Sequence, residues 1–273
     1  MADYSKTRFE YKDDFEWIRV IDIFPQQHRY LHFETSIQGV MSLVDHTVPV
    51  LEYIGVMSHG ARNLCNKPEK IILGGLGSCS LLNVLGAVWN KGTQFLTIEA
   101  NERVFEIARR FFRLSPNDRV LLGDLREELE SRRIGEQDLI MVDCYSAVSI
   151  PPHLTTLEFM FLLKKKLRPD GFAVFNLWSP SCNRICAHQI RTILEVFGEV
   201  AIIMCREDEN VVLFAHNNQW SDWPSALMFK GLEYPILPIS RRDKTTWPEF
   251  LWEGNLIEDS NTGEIFEATG YDF

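Results

Sequence analysis

The chain lacks a long apolar run. No segment approaches the roughly 18–20 residues that a membrane span needs, so no membrane role is expected. Its start, MADYSKTRFEYKDDFEW, lacks the apolar stretch of a secretory signal. Cysteine is sparse and scattered: Cys65, Cys79, Cys144, Cys182, Cys186 and Cys205 fit a reduced, cytoplasmic chain. A basic excess is also missing. Against 28 Lys+Arg stand 38 Asp+Glu, a formal net charge of −10, which excludes a nonspecific nucleic-acid binder because phosphate neutralisation needs a basic surface. Much of that charge is local, since residues 249–273 hold seven acids and no Lys or Arg. Cys182, Cys186 and His188 lie close in sequence but lack CxxC spacing and a fourth ligand. They read as helix-face residues, and no metal is expected. Repeats and low-complexity tracts are absent, and 45% hydrophobic with 24% charged residues is an ordinary globular composition.

What is present divides the chain into three. Residues 16–44 alternate in WIRVIDI, HRYLHFE and GVMSLV, broken at Pro25-Gln26-Gln27 and Thr35-Ser36. That pattern predicts antiparallel hairpins, a small β annex over 1–50. The stretch 48–65 predicts a helix with Val50, Tyr53, Ile54 and Met57 on its apolar face. From Lys70, strands at 71–75, 94–99, 119–124, 138–144, 171–178, 199–205 and 210–216 alternate with helices at 79–90, 102–113, 125–132, 155–167 and 184–197. Apolar, unalternating strands spaced by helices predict a parallel sheet covered on both faces. The last two strands lack a helix between them and predict an antiparallel hairpin at the sheet edge. The expected fold class is therefore α/β, a seven-stranded, mostly parallel Rossmann-like sheet over 51–217 with an N-terminal antiparallel annex. It resembles the class I S-adenosylmethionine-dependent methyltransferase fold. Residues 218–273 are acidic and Trp/Pro-rich (Trp220, Trp223, Pro224, Trp247, Pro248, Trp252) and are expected to wrap the core, with aromatics that could line a substrate slot.

Three motifs fall at the carboxyl ends of consecutive strands, where open α/β sheets bind ligands. Gly75 and Gly77 in GGLGSCS give a G-x-G turn before a helix N-terminus; a bare tight turn is the alternative. Ser80 replaces the third glycine of the dinucleotide fingerprint, which disfavours NAD. Glu99 ends the second strand, where a carboxylate can hold a ribose diol; the alternative is a helix-terminal acid. Asp124 ends the third strand, and its alternative is an N-cap for the helix from Leu125. On the fourth strand, Asp143 could orient a nucleophilic amine and take its proton; a turn or helix cap is its alternative. Cys144 beside it reads as a buried, unreactive thiol.

The stretches ILGGLGSCSLLNVL, LTIEANERVFEIARRFF, RVLLGDLREEL and DLIMVDCYSAVSIPPHLTTLEFMFLLKKKLRPDGFAVFNLW resemble the spermidine synthase (polyamine aminopropyltransferase) family. The resemblance implies that Gly75, Gly77 and Glu99 hold the nucleoside, Asp124 the adenine edge, and that Asp143 stands beside the attacking amine. Tyr53 looks like the family's active-site tyrosine and Gln38 like a glutamine lining the donor site from the annex. Tyr145, Ser146 and Ser78 fall on the substrate side. Ser78 and Ser146 replace two aspartates of the family, and Ile54 replaces a glutamine, so amine-binding charge is missing there. The implied function moves an aminopropyl group from an S-adenosylmethionine-type donor to a small amine. S-adenosylmethionine or its decarboxylated form serves as co-substrate, no cofactor is tightly bound, and a homodimer is expected. The alternatives are a small-molecule methyltransferase using S-adenosylmethionine and a non-catalytic nucleoside-binding homologue.

Overall fold

The computed structural model describes the chain apart from residues 1–3, 15, 35, 66, 90–91, 132–133, 147–149, 208, 219–221 and 270–273. Trp220 therefore lies outside the described residues.

The annex is a four-stranded antiparallel meander of β1 (Ser5–Lys12), β2 (Trp17–Ile23), β3 (His28–Phe33) and β4 (Ser36–Ser42). In β2 alternate residues Ile18, Val20 and Asp22 turn inward. Asp22 is fully buried and bonded by Arg8 at 2.5 Å and Arg29 at 2.6 Å. Burial alone would raise its carboxyl; the hydrogen bonds from Arg29 and Arg8 outweigh it and hold it below the usual carboxylate range. Arg29 also reaches the Phe111 carbonyl at 2.8 Å, which ties the annex to the main domain.

After α1 (Glu52–Leu64) the chain alternates β5 (Lys70–Gly74), α2 (Ser80–Val88), β6 (Gln94–Glu99), α3 (Glu102–Phe111), β7 (Val120–Leu122), α4 (Leu125–Glu130), β8 (Gln137–Val142), α5 (Leu157–Lys166), β9 (Leu167–Trp178), α6 (Cys186–Phe197), β10 (Glu199–Met204) and β11 (Asn210–His216). A hairpin of β12 (Ala226–Phe229) and β13 (Leu232–Pro235), then β14 (Leu237–Ser240) and α7 (Thr262–Ala268), complete it. The main sheet runs β14-β10-β11-β9-β8-β5-β6-β7. Among the described residues it has eight strands, not the expected seven, because β14 pairs antiparallel with β10. Pairings from β9 to β7 are parallel and those from β9 to β14 antiparallel, so the sheet is mixed. The β10–β11 hairpin forms as expected but lies inside the sheet, with β14 on the edge.

Side chains alternate between the two faces. Ile71, Leu73, Leu139, Met141, Val212 and Phe214 join a core built with α1, α2 and α3. Ile72, Ile140, Val142, Val211 and Leu213 join a second core built with α4, α5 and α6. Annex residues Ile18, Val20, Leu31 and Met41 belong to the first, so one apolar core runs from the annex to the sheet. Buried Glu52 takes the Arg206 and Glu207 amides at 2.7 and 2.6 Å and the Tyr234 hydroxyl at 2.6 Å, anchoring α1 to the chain beyond β10 and to β13. No described helix is long and apolar enough to cross a membrane.

Among the described residues, the C-terminal tryptophans pack against neighbouring rings and lie outside the lining of the cleft beyond the ends of β5 and β6. Trp247 is buried in the α4–α6 core, donates to the Ser240 carbonyl at 2.8 Å, and lies 5.3 Å from the Trp252 ring. Trp223 packs edge-on to Phe172 at 6.3 Å. Cys186 points into that same core, and His188 accepts the Asn255 amide through Nδ1 at 2.9 Å.

Candidate active site

The sheet order reverses between β5 and its neighbours β8 and β6, the switch point where such sheets open a crevice beyond their strand ends. A cleft of about 740 Å³ lies there. Its wall combines the glycine loop after β5 (Gly75, Leu76, Gly77, Ser78), Glu99 at the end of β6, Asp143, Tyr145 and Ser146 after β8, Tyr53 and Ile54 of α1, and Gln38 and Gly39 of β4. Nine of the ten residues assigned from sequence thus share one cavity.

Glycine is required where the two strand ends meet. Gly75 has φ +90°, and a Cβ there would lie 2.2 Å from the Asp143 carbonyl oxygen. This close approach is reinforced by the Asp143 amide donating to the Gly74 carbonyl at 2.9 Å. At Gly39, a Cβ would lie 2.2 Å from Ser78 Oγ, so the annex packs directly on the glycine loop. Ser80 donates to the Val40 carbonyl at 2.6 Å, which leaves Ser78 to donate to Ser80 across 2.8 Å. The Ser78 hydroxyl thus keeps lone pairs but no free proton, and it is 3% exposed.

Glu99 is held by the glycine loop itself. It accepts the Leu76 amide at 2.9 Å and the Asn101 amide at 2.8 Å, one per oxygen. Burial holds its carboxyl above the usual range, and the amides of Asn101, Leu76, Gly77 and Ala100 offset only part of that. Asp143 accepts Asn176 Nδ2 at 2.8 Å and the Tyr53 hydroxyl at 3.3 Å. Burial pushes it up to about 6, against the lowering effect of those two donors. Asn176 is itself fixed, because its Oδ1 accepts Asn210 Nδ2 at 2.7 Å and its carbonyl accepts the Tyr145 hydroxyl at 3.0 Å. Tyr145 stacks on Trp178 with centroids 5.2 Å apart. Gln38 reaches from the annex to the Ser146 carbonyl at 3.3 Å, closing one side of the cleft. Burial and the nearby Glu99 and Asp143 carboxylates raise the Cys144 thiol well above its ordinary range, so it is a poor nucleophile.

Asp124 is the one residue assigned from sequence that the cleft does not gather. One oxygen caps α4, accepting the Arg126 and Glu127 amides at 2.9 and 3.1 Å, and the other meets His153 Nε2 at 2.7 Å. Asp124 thus caps α4, one of the two roles its sequence position allows. Sequence reasoning missed Asn176, whose signal was one amide inside the apolar run FAVFNLW. It also missed the annex side of the cleft: Glu16, Trp17, Ile18, Leu31, Phe33 and Glu34. The charged residues of the described wall are Glu16, Glu34, Glu99 and Asp143, with no Lys, Arg or His.

No protein-family model matches the chain. A polyamine aminopropyltransferase of Vibrio vulnificus is 34% identical over 137 residues, 49% of this chain and 45% of that protein, so the match spans less than half of that relative's length. A polyamine aminopropyltransferase of Chromobacterium violaceum is 30% identical over 242 residues, 85% of this chain and 87% of that protein. The chain belongs to the polyamine aminopropyltransferase family. A likeness of fold to the family accompanies it: a probable spermidine synthase from Corynebacterium glutamicum superposes with a TM-score of 0.67, covering 97% of this chain and 95% of that one at 17% identity. The fold is also that of methyltransferases, as in human methyltransferase-like protein 13 at a TM-score of 0.56 and 21% identity over 63% of this chain. The three positions at which the resemblance implies a departure, Ile54, Ser78 and Ser146, all line the cleft.

Proposed function

We propose that the chain is an aminopropyltransferase whose donor is decarboxylated S-adenosylmethionine and whose acceptor is a small amine. The observation that carries this reading is the charge of the cleft: four carboxylates and no cation in its described wall, at the switch point of a nucleoside-binding fold. Both proposed partners are cations, one a sulfonium and the other an ammonium. The glycine loop and Glu99 would hold the nucleoside. Asp143 and Tyr53 would face the acceptor nitrogen.

The reacting nitrogen, bound as an ammonium, first gives one proton to solvent and then, as the neutral amine, attacks the aminopropyl carbon bound to sulfur. The C–N bond forms as the C–S bond breaks, and its electron pair stays on sulfur, giving neutral methylthioadenosine. The second proton, lost from nitrogen on attack, goes to Asp143. The protein contributes in-line placement of the two reactants and a poised base. Incubation with decarboxylated S-adenosylmethionine and a panel of amines is expected to give methylthioadenosine and an aminopropylated amine. Methylated product from intact S-adenosylmethionine, with no aminopropyl product from any amine, would overturn this reading in favour of a methyltransferase.

The position of Asp143 predicts a pH profile. kcat/KM for the donor should rise with pH through an apparent pKa near 6, the value of the free carboxyl. Stability should move in the opposite direction. A carboxyl whose folded pKa lies above its unfolded one favours folding when protonated, so the Asp143 contribution, read as the wild type minus Asp143→Asn in ligand-free protein, falls as pH rises from about 4 through about 6. Thermal melts across that window check the sign. A flat kcat/KM between pH 5 and 7.5 would contradict the proton-acceptor role.

A further inference from the structure

The four acids of the cleft are not equivalent. Glu99 holds two amides and Asp143 holds Asn176 and Tyr53. Glu16 accepts Asn101 Nδ2 at 2.7 Å and stands 3.6 Å from Arg103. The Glu34 carboxylate has no hydrogen bond or ion pair with any described residue, although it lines the same cleft. It is exposed, which places it at the rim.

The backbone at Glu34 is unusual for such a side chain. Its φ of +49° lies in the left-handed region, where glycine or asparagine sits with less strain. The turn is clamped in place: the Glu34 amide donates to the Trp17 carbonyl at 2.6 Å, and Arg19 donates to the Glu34 carbonyl at 2.6 Å. A strained residue with an unpartnered carboxylate at a site wall points to a ligand contact. The annex wall around it is apolar, with Trp17, Ile18, Leu31 and Phe33 suited to a methylene chain.

We propose that Glu34 determines acceptor specificity by taking a second ammonium of the acceptor, whose reacting nitrogen lies at Asp143. This rests on the aminopropyltransferase reading above. It assigns the preference for a doubly charged acceptor to Glu34, directly after the end of β3 in the annex. The free carboxylate at the rim would offset the missing family acids at 78 and 146.

The test compares two acceptors with the same four-carbon chain, 1,4-diaminobutane and butylamine, on the wild type, Glu34→Gln and Glu34→Gly. Glu34→Gln should raise KM for the diamine about tenfold, as expected for one charge-assisted hydrogen bond at a partly wet rim, and leave butylamine and donor KM unchanged. Glu34→Gly should melt no lower than the wild type, because it relieves the left-handed residue, and should show the same diamine-specific loss. Equal changes for both acceptors, or none, overturn the proposal. Calorimetric titration of the diamine in the presence of methylthioadenosine reads Glu34 without turnover. Wild-type binding that Glu34→Gln weakens, in a protein that aminopropylates neither amine, would keep this assignment and overturn the reaction proposed above.

Discussion

Asp143→Asn is expected to lower kcat by about two to four orders of magnitude, the usual contribution of a positioned general base, while methylthioadenosine binds with unchanged affinity. The substitution is nearly isosteric. The oxygen of the introduced amide can keep accepting from Asn176 Nδ2 or from the Tyr53 hydroxyl, the two donors that fix the carboxylate now. The hydroxyl can also rotate to meet the new NH2 as an acceptor. Both partners can therefore stay satisfied, so the fold should hold, and a thermal melt checks that. What disappears is the capacity to take a proton. Tyr53 does not replace it in the wild-type arrangement, where its hydroxyl is the donor to Asp143. Glu99 does not replace it either, with each oxygen bound to a backbone amide. The acid limb near pH 6 should vanish together with the rate. A variant that keeps full activity, limb included, would remove Asp143 from the chemistry.

The alternation of strands and helices made the sheet legible because a doubly covered parallel strand must be apolar on both faces. The ligand end was legible for the same topological reason: Gly75, Glu99 and Asp143 follow three strands that become neighbours, β6-β5-β8. What escaped has separate physical causes. Strand β1, SKTRFEYK, carries charge on both faces because it is an exposed edge, and edge strands use charge to avoid further pairing. Strand β14 is four residues long, contains Pro238, and forms only because β10 offers it an open edge. Asp124 had two compatible roles from its position at a strand end and helix start, and its contact with His153, 29 residues away, is not legible from either. Glu34 had no sequence signal at all. Its place in the cleft depends on a left-handed turn and on the annex folding over the glycine loop, and neither is written in local periodicity.

Glu99→Gln is expected to weaken methylthioadenosine binding by about two orders of magnitude, more than it weakens the fold. A charged acceptor contributes about 1.5–3 kcal/mol per hydrogen bond, and a tenfold change in affinity is about 1.4 kcal/mol. The carboxylate now accepts Leu76 on one oxygen and Asn101 on the other. Each oxygen has a second lone pair, and those pairs are what a ribose diol would use. Glutamine keeps one oxygen and must set its NH2 against one of the two amides, donor facing donor. The glycine loop loses one amide bond, a cost of about 1–3 kcal/mol to the fold. The ligand loses the charge on both of its hydroxyl contacts and the loop geometry together, so its loss is the larger one. Calorimetry with methylthioadenosine, paired with a melt of the same sample, separates these effects. Affinity retained within about threefold would show that the diol is held elsewhere and that Glu99 serves only to bind the loop.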